Sequence, residues 1–439
     1  MQRSIYADLL LWKDKEDRKP LILLGARQVG KTFILKEFGR NEFKNTVYIN
    51  CHNNDFTRDL FRDFNISRII RNMESFSETK ITIGETLVIL DEIQEVDNGI
   101  ASLKYFCEDC RDLHIAVAGS LLGLSLRENE SYPVGKVETL KMFPMSFEEY
   151  LLARGREKLL ETLRETDWDS LNSMHETLVE YLREYYFVGG MPEAVKTYIE
   201  TQDEKKVRAI QSEIIDAYER DISKHTKPQA QRIHQLWDCI PAQLAKENKK
   251  FIFGAVKKGS RAADFEIALQ WLSDAGLIYK VERVKEVAAP LKFYADYSAF
   301  KVYLLDCGLL ACMSEVAPKD ILLGSKAFVE FKGAFTENFV LQQLKAVPET
   351  SVYYFSKENS SQEIDFLLQS AGKIVPIEVK AAENVQSKSL SVFINEDHKD
   401  KHFKGLRISL KPYIDQGWME NIPLYSVESF LKMKIRTKE

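Results

Sequence analysis

The chain has 439 residues, 45% hydrophobic and 29% charged, with 61 basic against 66 acidic side chains and a net charge of −5. That length exceeds what one hydrophobic core organises, so two or three domains are expected, and the composition excludes a disordered chain. The acidic balance excludes attraction of the whole molecule to nucleic acid, so any such contact must come from a local patch.

Residues 1–19 read as a short amphipathic helix carrying Ile5, Leu9, Leu10 and Trp12. They contain neither the long apolar core nor the small-residue cleavage site of a signal peptide. No window approaches the roughly 18 apolar residues of a membrane span. A cytoplasmic protein without a membrane partner is therefore expected. The six cysteines, Cys51, Cys107, Cys110, Cys239, Cys307 and Cys312, are scattered and read as reduced thiols. Cys107 and Cys110 form a lone C-x-x-C in a helical-looking run, without the second ligand pair that a structural zinc site needs.

The apolar run PLILLGA reads as a buried strand, and GARQVGKT, Gly25 to Thr32, follows it directly. This stretch satisfies G-x-x-x-x-G-K-[ST] at every fixed position, and TFILKEFG behind it has helical spacing. Glycines at both ends let successive N–H groups of Ala26, Arg27, Gln28 and Val29 face an anion, and the helix adds its positive end. Gly25, Ala26, Arg27, Gln28, Val29, Gly30, Lys31, Thr32 and Phe33 are the candidate nucleotide contacts. Lys31 would reach the β- and γ-phosphates of ATP, and the Thr32 hydroxyl would ligate Mg²⁺.

TVYIN, Thr46 to Asn50, is a second strand, and a polar helical stretch leads to GETLVILDEIQ. Its apolar run Leu87 to Leu90 delivers Asp91 and Glu92 to a strand end. Asp91 suits the Mg²⁺ shell, and Glu92 suits a base that takes a proton from the attacking water. The next apolar strand, Ile115 to Ala118, ends at Gly119 and Ser120, and Ser120 is the candidate sensor of the γ-phosphate. Strands alternating with helices imply a parallel sheet with its ligand at the carboxyl ends of the strands. Val137 to Leu140 reads as one more strand. SFEEYLLA follows as a helix with Ser146 at the N-cap and Glu149 three residues on.

GARQVGKT, LVILDEIQ, AGSLLG, FPMSFEEY and, further on, GGMPEAV occur in an order that resembles the bacterial and archaeal AAA-type ATPases carrying an uncharacterised C-terminal domain. The resemblance implies ATP binding and regulated hydrolysis. Arg127, Arg154 and Arg156 are alternatives for an arginine finger.

Residues 155–230 have a helical pattern, interrupted by Gly189, Gly190 and Pro192. These residues suit a boundary between two helices, a hinge, or both. Residues 230–287 read as helices followed by a strand from Leu277 to Val281, the order in which a winged helix ends, and the family resemblance implies such a module. Lys249, Lys250, Lys257, Lys258 and Arg261 cluster there. They suit DNA phosphates, or equally a solvated loop on a protein-binding module.

The last segment has strand-like runs over 290–313, then a helix with Glu337, a strand with Asp365, and a strand with Glu378 and Lys380. Positions i and i+2 of a strand share a face, so Glu378 and Lys380 point together, and a hairpin turning at Ala371 and Gly372 brings Asp365 alongside. This resembles the PD-(D/E)xK nucleases, archaeal resolvases and RecB-like enzymes among them, although Ile364 stands where the family name has proline. The resemblance implies a divalent metal held by Asp365, Glu378 and Glu337, with Lys380 stabilising charge. The expected architecture is therefore α/β throughout. An AAA-type P-loop ATPase domain spans 1–155, a helical lid or linker 156–229, a winged-helix-like module 230–290, and a restriction-endonuclease-like domain 291–439. Two functions follow. One is an ATPase with Mg²⁺ that acts on DNA and carries a metal-dependent nuclease. The other is an ATPase switch that recruits a protein partner or a second copy, with an inert nuclease-like domain.

Overall fold

The structure is a computed structural model of the full chain. It describes all residues except 53, 121–131, 247–249, 358–361, 382–385 and 437–439, and excludes the side chains of 120, 326–331 and 436. Two compact units emerge: residues 1–143 with 274–276, and residues 144–273 with 277–439.

The first unit is built on five parallel strands in the order β2-β3-β4-β1-β5. These are β1 (Leu21–Gly25), β2 (Asn45–Asn50), β3 (Thr86–Asp91), β4 (His114–Ser120) and β5 (Glu138–Lys141). Every residue of β3 is buried, which is why its sequence runs apolar instead of alternating. Ile22, Val47, Val88, Leu90, Ile115 and Val117 share one core with Ile69 and Met73 of the helix Ile66–Ser77. Chain order departs from sheet order where β4 inserts between β1 and β3. The carboxyl ends of these strands therefore bracket the crevice that begins at the phosphate loop.

The second unit combines helices with an eight-stranded mixed sheet, ordered β12-β13-β11-β10-β9-β8-β6-β7. Its strands are β6 (Ile278–Val284), β7 (Ala295–Leu304), β8 (Ser351–Ser356), β9 (Glu363–Ser370), β10 (Lys373–Lys380), β11 (Gly405–Ser409), β12 (Ile414–Asp415) and β13 (Met419–Pro423). The expected capping box is present, with Ser146 and Glu149 exchanging side-chain-to-backbone bonds at the start of Phe147–Ala153. The expected β9/β10 hairpin also forms, pairing Ser370 with Lys373 around Ala371 (φ 46°) and Gly372 (φ 74°).

The run after 304 departs from the strand expectation, because Cys307–Met313 is a helix. Asp306 decides this: its carboxylate caps the helix by accepting from the Leu309 N–H at 2.9 Å. The same side chain accepts from the Gly190 N–H at 2.6 Å and from Gln342 Nε2 at 3.2 Å. Burial raises the Asp306 pKa, and these bonds work against that rise.

Gly189 and Gly190 separate the helices His175–Val188 and Pro192–Thr201 inside this knot. Gly189 has φ 75° and ψ −166°, a conformation closed to other residues, and a Cβ on it would lie 2.2 Å from Asp306 Oδ1. A Cβ on Gly190 would lie 2.1 Å from the Met145 carbonyl oxygen. Gly189→Ala and Gly190→Ala are each expected to cost about 3 kcal/mol or more of stability. Urea unfolding followed by tryptophan fluorescence measures this, and a midpoint equal to that of wild type would contradict it.

Candidate nucleotide site

The loop between β1 and the helix Lys31–Glu42 has the backbone that an anion cradle needs. Gln28 (φ 65°) and Gly30 (φ 97°) are both left-handed, and Gly30 is the helix N-cap. A Cβ on Gly25 would fall 2.4 Å from the Met142 carbonyl oxygen, so glycine is required where the loop leaves the sheet. Lys31 is buried, and its ammonium donates to the carbonyl oxygens of Gly25 (2.9 Å) and Ala26 (2.8 Å). Burial lowers its pKa to about 8, against the pull of Glu92 and Asp91. The folded loop therefore holds a desolvated cation over its own carbonyls. An anion entering the cradle would meet a cation already largely stripped of water.

Parallel register brings the second half of the site alongside. Gly25 pairs with Ser120, Asp91 with Ala118, and Asn50 with Asp91, so the carboxyl ends of four strands lie side by side. The Thr32 hydroxyl donates to Asp91 Oδ2 at 2.8 Å. These two groups, an oxygen donor and a carboxylate in contact, are a donor set that fits Mg²⁺. Glu92 turns out of β3 at φ 53°, anchored by its N–H donating to the Ala118 carbonyl oxygen at 3.0 Å. Its Oε2 accepts from Gln94 Nε2. The structure thus brings together Lys31, Thr32, Asp91 and Glu92. Ala26 and Val29 are buried, Arg27 is half-buried, and Phe33 is 58% exposed at the helix start. Ser120 occupies the register position beside Gly25, and its side chain lies outside the described residues, as does all of Arg127.

Three participants were not read from the sequence. Arg3 is buried and donates to the Val29 carbonyl oxygen (3.0 Å) and the Phe143 carbonyl oxygen (2.7 Å), tying the loop to the chain's start. The Tyr48 hydroxyl donates to Asp91 Oδ2 at 3.0 Å, and Gln94 holds Glu92. Tyr48 and Gln94 lie within a few residues of recognised elements, so proximity was a usable signal. Arg3 is far away in sequence and left none.

Arg154 and Arg156 are each engaged within the second unit. Arg154 pairs with Glu184 at 3.2 Å and lies over the rings of Tyr181 and Tyr198, and Arg156 donates to the Tyr181 hydroxyl. All six cysteines are free thiols. Burial, with Asp91 nearby, pushes the Cys51 thiol up to about 12, so it stays protonated.

The nuclease-like residues occupy a helix, Lys326–Lys345, and two neighbouring strands, β9 and β10, with different partners. Asp365 Oδ2 accepts from the Val379 N–H at 2.7 Å. The Glu378 carboxylate pairs with Lys380 at 2.9 Å, and its buried Oε2 has no hydrogen-bond partner. Glu337 accepts from the Tyr303 hydroxyl at 3.2 Å and lies 4.0 Å from Lys301 Nζ. Among the described residues, no group of three or more His, Cys, Asp and Glu side chains is arranged to hold a metal ion. The three carboxylates expected around a nuclease metal do not fit one as they stand.

Strand order and loop geometry are those of an AAA-type P-loop ATPase domain, with Lys31, Thr32, Asp91 and Glu92 as its candidate site. Consistently, residues 17–151 match the family model described as an AAA domain. Residues 179–320 and 332–427 match two domains of unknown function, DUF8612 and DUF4143. No curated protein matches the chain. Among solved structures, it is similar to a signal transduction ATPase with numerous domains and a tetratricopeptide repeat sensor from Pyrococcus horikoshii. That match has 13% identity and a TM-score of 0.29, covering 79% of this chain and 45% of the other, so the chain spans less than half of that protein. It is also similar to Cdc6p from Pyrobaculum aerophilum, at 12% identity and a TM-score of 0.23, covering 73% of this chain and 92% of that one. Among the described residues, no helix is long and apolar enough to cross a membrane.

Proposed function

We propose that the chain binds ATP with Mg²⁺ in the cytoplasm, hydrolyses it, and couples the nucleotide state to a downstream unit that contacts DNA without cutting it. The observation carrying the ATPase reading is the convergence of Lys31, Thr32, Asp91 and Glu92 at neighbouring strand ends. Bound Mg²⁺ supplies charge neutralisation at the β- and γ-phosphates. Thr32 and Asp91 would hold the ion, and the Lys31 ammonium moves from the Gly25 and Ala26 carbonyls to the phosphates. The loop N–H groups orient the chain of phosphates. Glu92 accepts the proton of the attacking water.

The DNA reading rests on the segment 227–304. Helices Lys227–Leu244, Phe253–Val256 and Ala262–Asp274 precede the antiparallel β6/β7 hairpin, the element order of a winged helix. A cleft of about 390 Å³ there is lined by Arg232, Lys257, Lys258 and Ser260. Lys257, Lys258 and Arg261 are exposed, whereas Lys249 lies outside the described residues. Lys257→Glu with Lys258→Glu is expected to weaken duplex binding by 10-fold or more at about 0.1 M salt and to lower the salt slope by about 2. Fluorescence anisotropy across a salt series measures both. Unchanged affinity and slope would leave the protein-partner reading in its place.

The engagement of Glu337, Asp365 and Glu378 by lysines and backbone groups of the chain itself favours a domain that does not cut. Plasmid and junction substrates with Mg²⁺ or Mn²⁺ should survive incubation with the wild type, with or without ATP. Cleavage that vanishes in Asp365→Ala and Lys380→Ala would restore the nuclease.

A further inference from the structure

Lys301 lies on β7, and its side chain is fully buried, with 0% exposure. A lone ammonium in that position would be prohibitively costly, so its partners define its purpose. It pairs with Glu363 on β9 and lies 4.0 Å from Glu337 on the helix Lys326–Lys345. Asp365, two residues beyond Glu363 on the same strand, also acts on it electrostatically. The Tyr354 ring of β8 lies 5.0 Å beneath the ammonium, and the Tyr303 hydroxyl binds Glu337. Carboxylates from a helix and a strand thus converge on one buried cation, and that cation is part of the chain.

Two of those carboxylates, Glu337 and Asp365, are the ones that the nuclease resemblance assigns to a divalent metal. We propose that the Lys301 ammonium stands where that metal would stand. The nuclease-like sheet then holds a fixed monovalent counter-cation and neither needs nor accepts Mg²⁺ or Mn²⁺. One buried ammonium facing several carboxylates leaves net negative charge, as a metal site would, but it has no vacant coordination position and cannot polarise a water as a metal does. The remaining carboxylate, Glu378, sits one strand further on with its own ammonium, Lys380, at 2.9 Å. Each acidic group of the resemblance is thereby answered by a lysine or a backbone N–H. The inference deepens the non-cutting reading above and rests on it, but the two fail separately.

The test uses the full chain without nucleotide and probes with Mn²⁺ alone. Thr32→Ala removes the Mg²⁺ ligand of the ATP site from the background. By electron paramagnetic resonance and calorimetry, this protein should show no Mn²⁺ site tighter than about 1 mM. A tighter site abolished by adding Glu337→Gln or Asp365→Asn would overturn the proposal. In the metal-free protein, Lys301→Met should lower the melting temperature by roughly 5–10 °C, because it strands buried carboxylates. Adding Glu363→Gln should then recover at least half of that loss. A Lys301→Met protein that melts like wild type, or a double variant whose losses simply add, would also overturn it. If Lys301→Met does not fold, the Mn²⁺ titration still decides. DNA cleavage by the wild type would sink the non-cutting reading, whereas Mn²⁺ binding without cleavage would sink only the role given to Lys301.

Discussion

Glu92→Gln should leave ATP bound and slow its hydrolysis by about 10²-fold or more. The substitution preserves volume, and the anchor of residue 92 survives it, because its N–H donates to the Ala118 carbonyl oxygen regardless of the side chain. The Thr32–Asp91 contact is also untouched, so the ion's place remains. What is lost is an oxygen able to accept the proton of the attacking water. Single-turnover hydrolysis, measured beside equilibrium binding of ATP, separates the two effects. Wild-type hydrolysis in Glu92→Gln would remove Glu92 from the role of base. The Gln94 side chain that holds Glu92 makes a second, smaller contribution to this geometry.

Lys31→Met should weaken ATP binding by about 10- to 10²-fold, since a buried charged donor to phosphate is worth about 1.5–3 kcal/mol. The wild type carries a further signature. Burial lowers the Lys31 pKa to about 8 in the empty loop, and bound phosphates would raise it again. Below pH 8 the ammonium is already present, so affinity should be flat with pH. Above pH 8 binding must take up a proton, and affinity should fall, by up to tenfold per pH unit. Titration calorimetry in two buffers of different ionisation enthalpy reads that proton directly. Lys31→Met should show neither the uptake nor the pH dependence. A wild-type affinity that stays flat to pH 9.5 would contradict the desolvated-lysine description.

Much of the candidate site was legible because its parts are local. A phosphate loop needs its glycines, lysine and threonine within eight residues, and a strand end needs only an apolar run followed by Asp91 and Glu92. Gly189–Gly190–Met191–Pro192 was legible as a helix boundary for the same reason. The reason for two consecutive glycines was not, because the Asp306 carboxylate and the Met145 carbonyl that crowd them come from distant segments. The C-terminal segment shows the converse failure. Glu337, Asp365, Glu378 and Lys380 stand in the right order on a helix and two strands, and the expected hairpin joins Asp365 to its neighbours. Spacing along the chain said nothing of Lys301, which lies on β7 and enters the cluster from three strands away in the sheet.

By itself the sequence determined the secondary elements that carry chemistry and the identity of the anion-binding loop. Those depend on steric and hydrogen-bonding preferences within a few residues. The tertiary structure decided which distant groups share a site. Parallel register set Gly25 beside Ser120 and Asp91 beside Ala118. Packing brought Arg3 to Val29 and a buried ammonium to Glu337 and Glu363. Electrostatic partnership acts through space, and a charge buried in a low-dielectric interior answers to whichever group folding places beside it, however far apart the two stand in the chain.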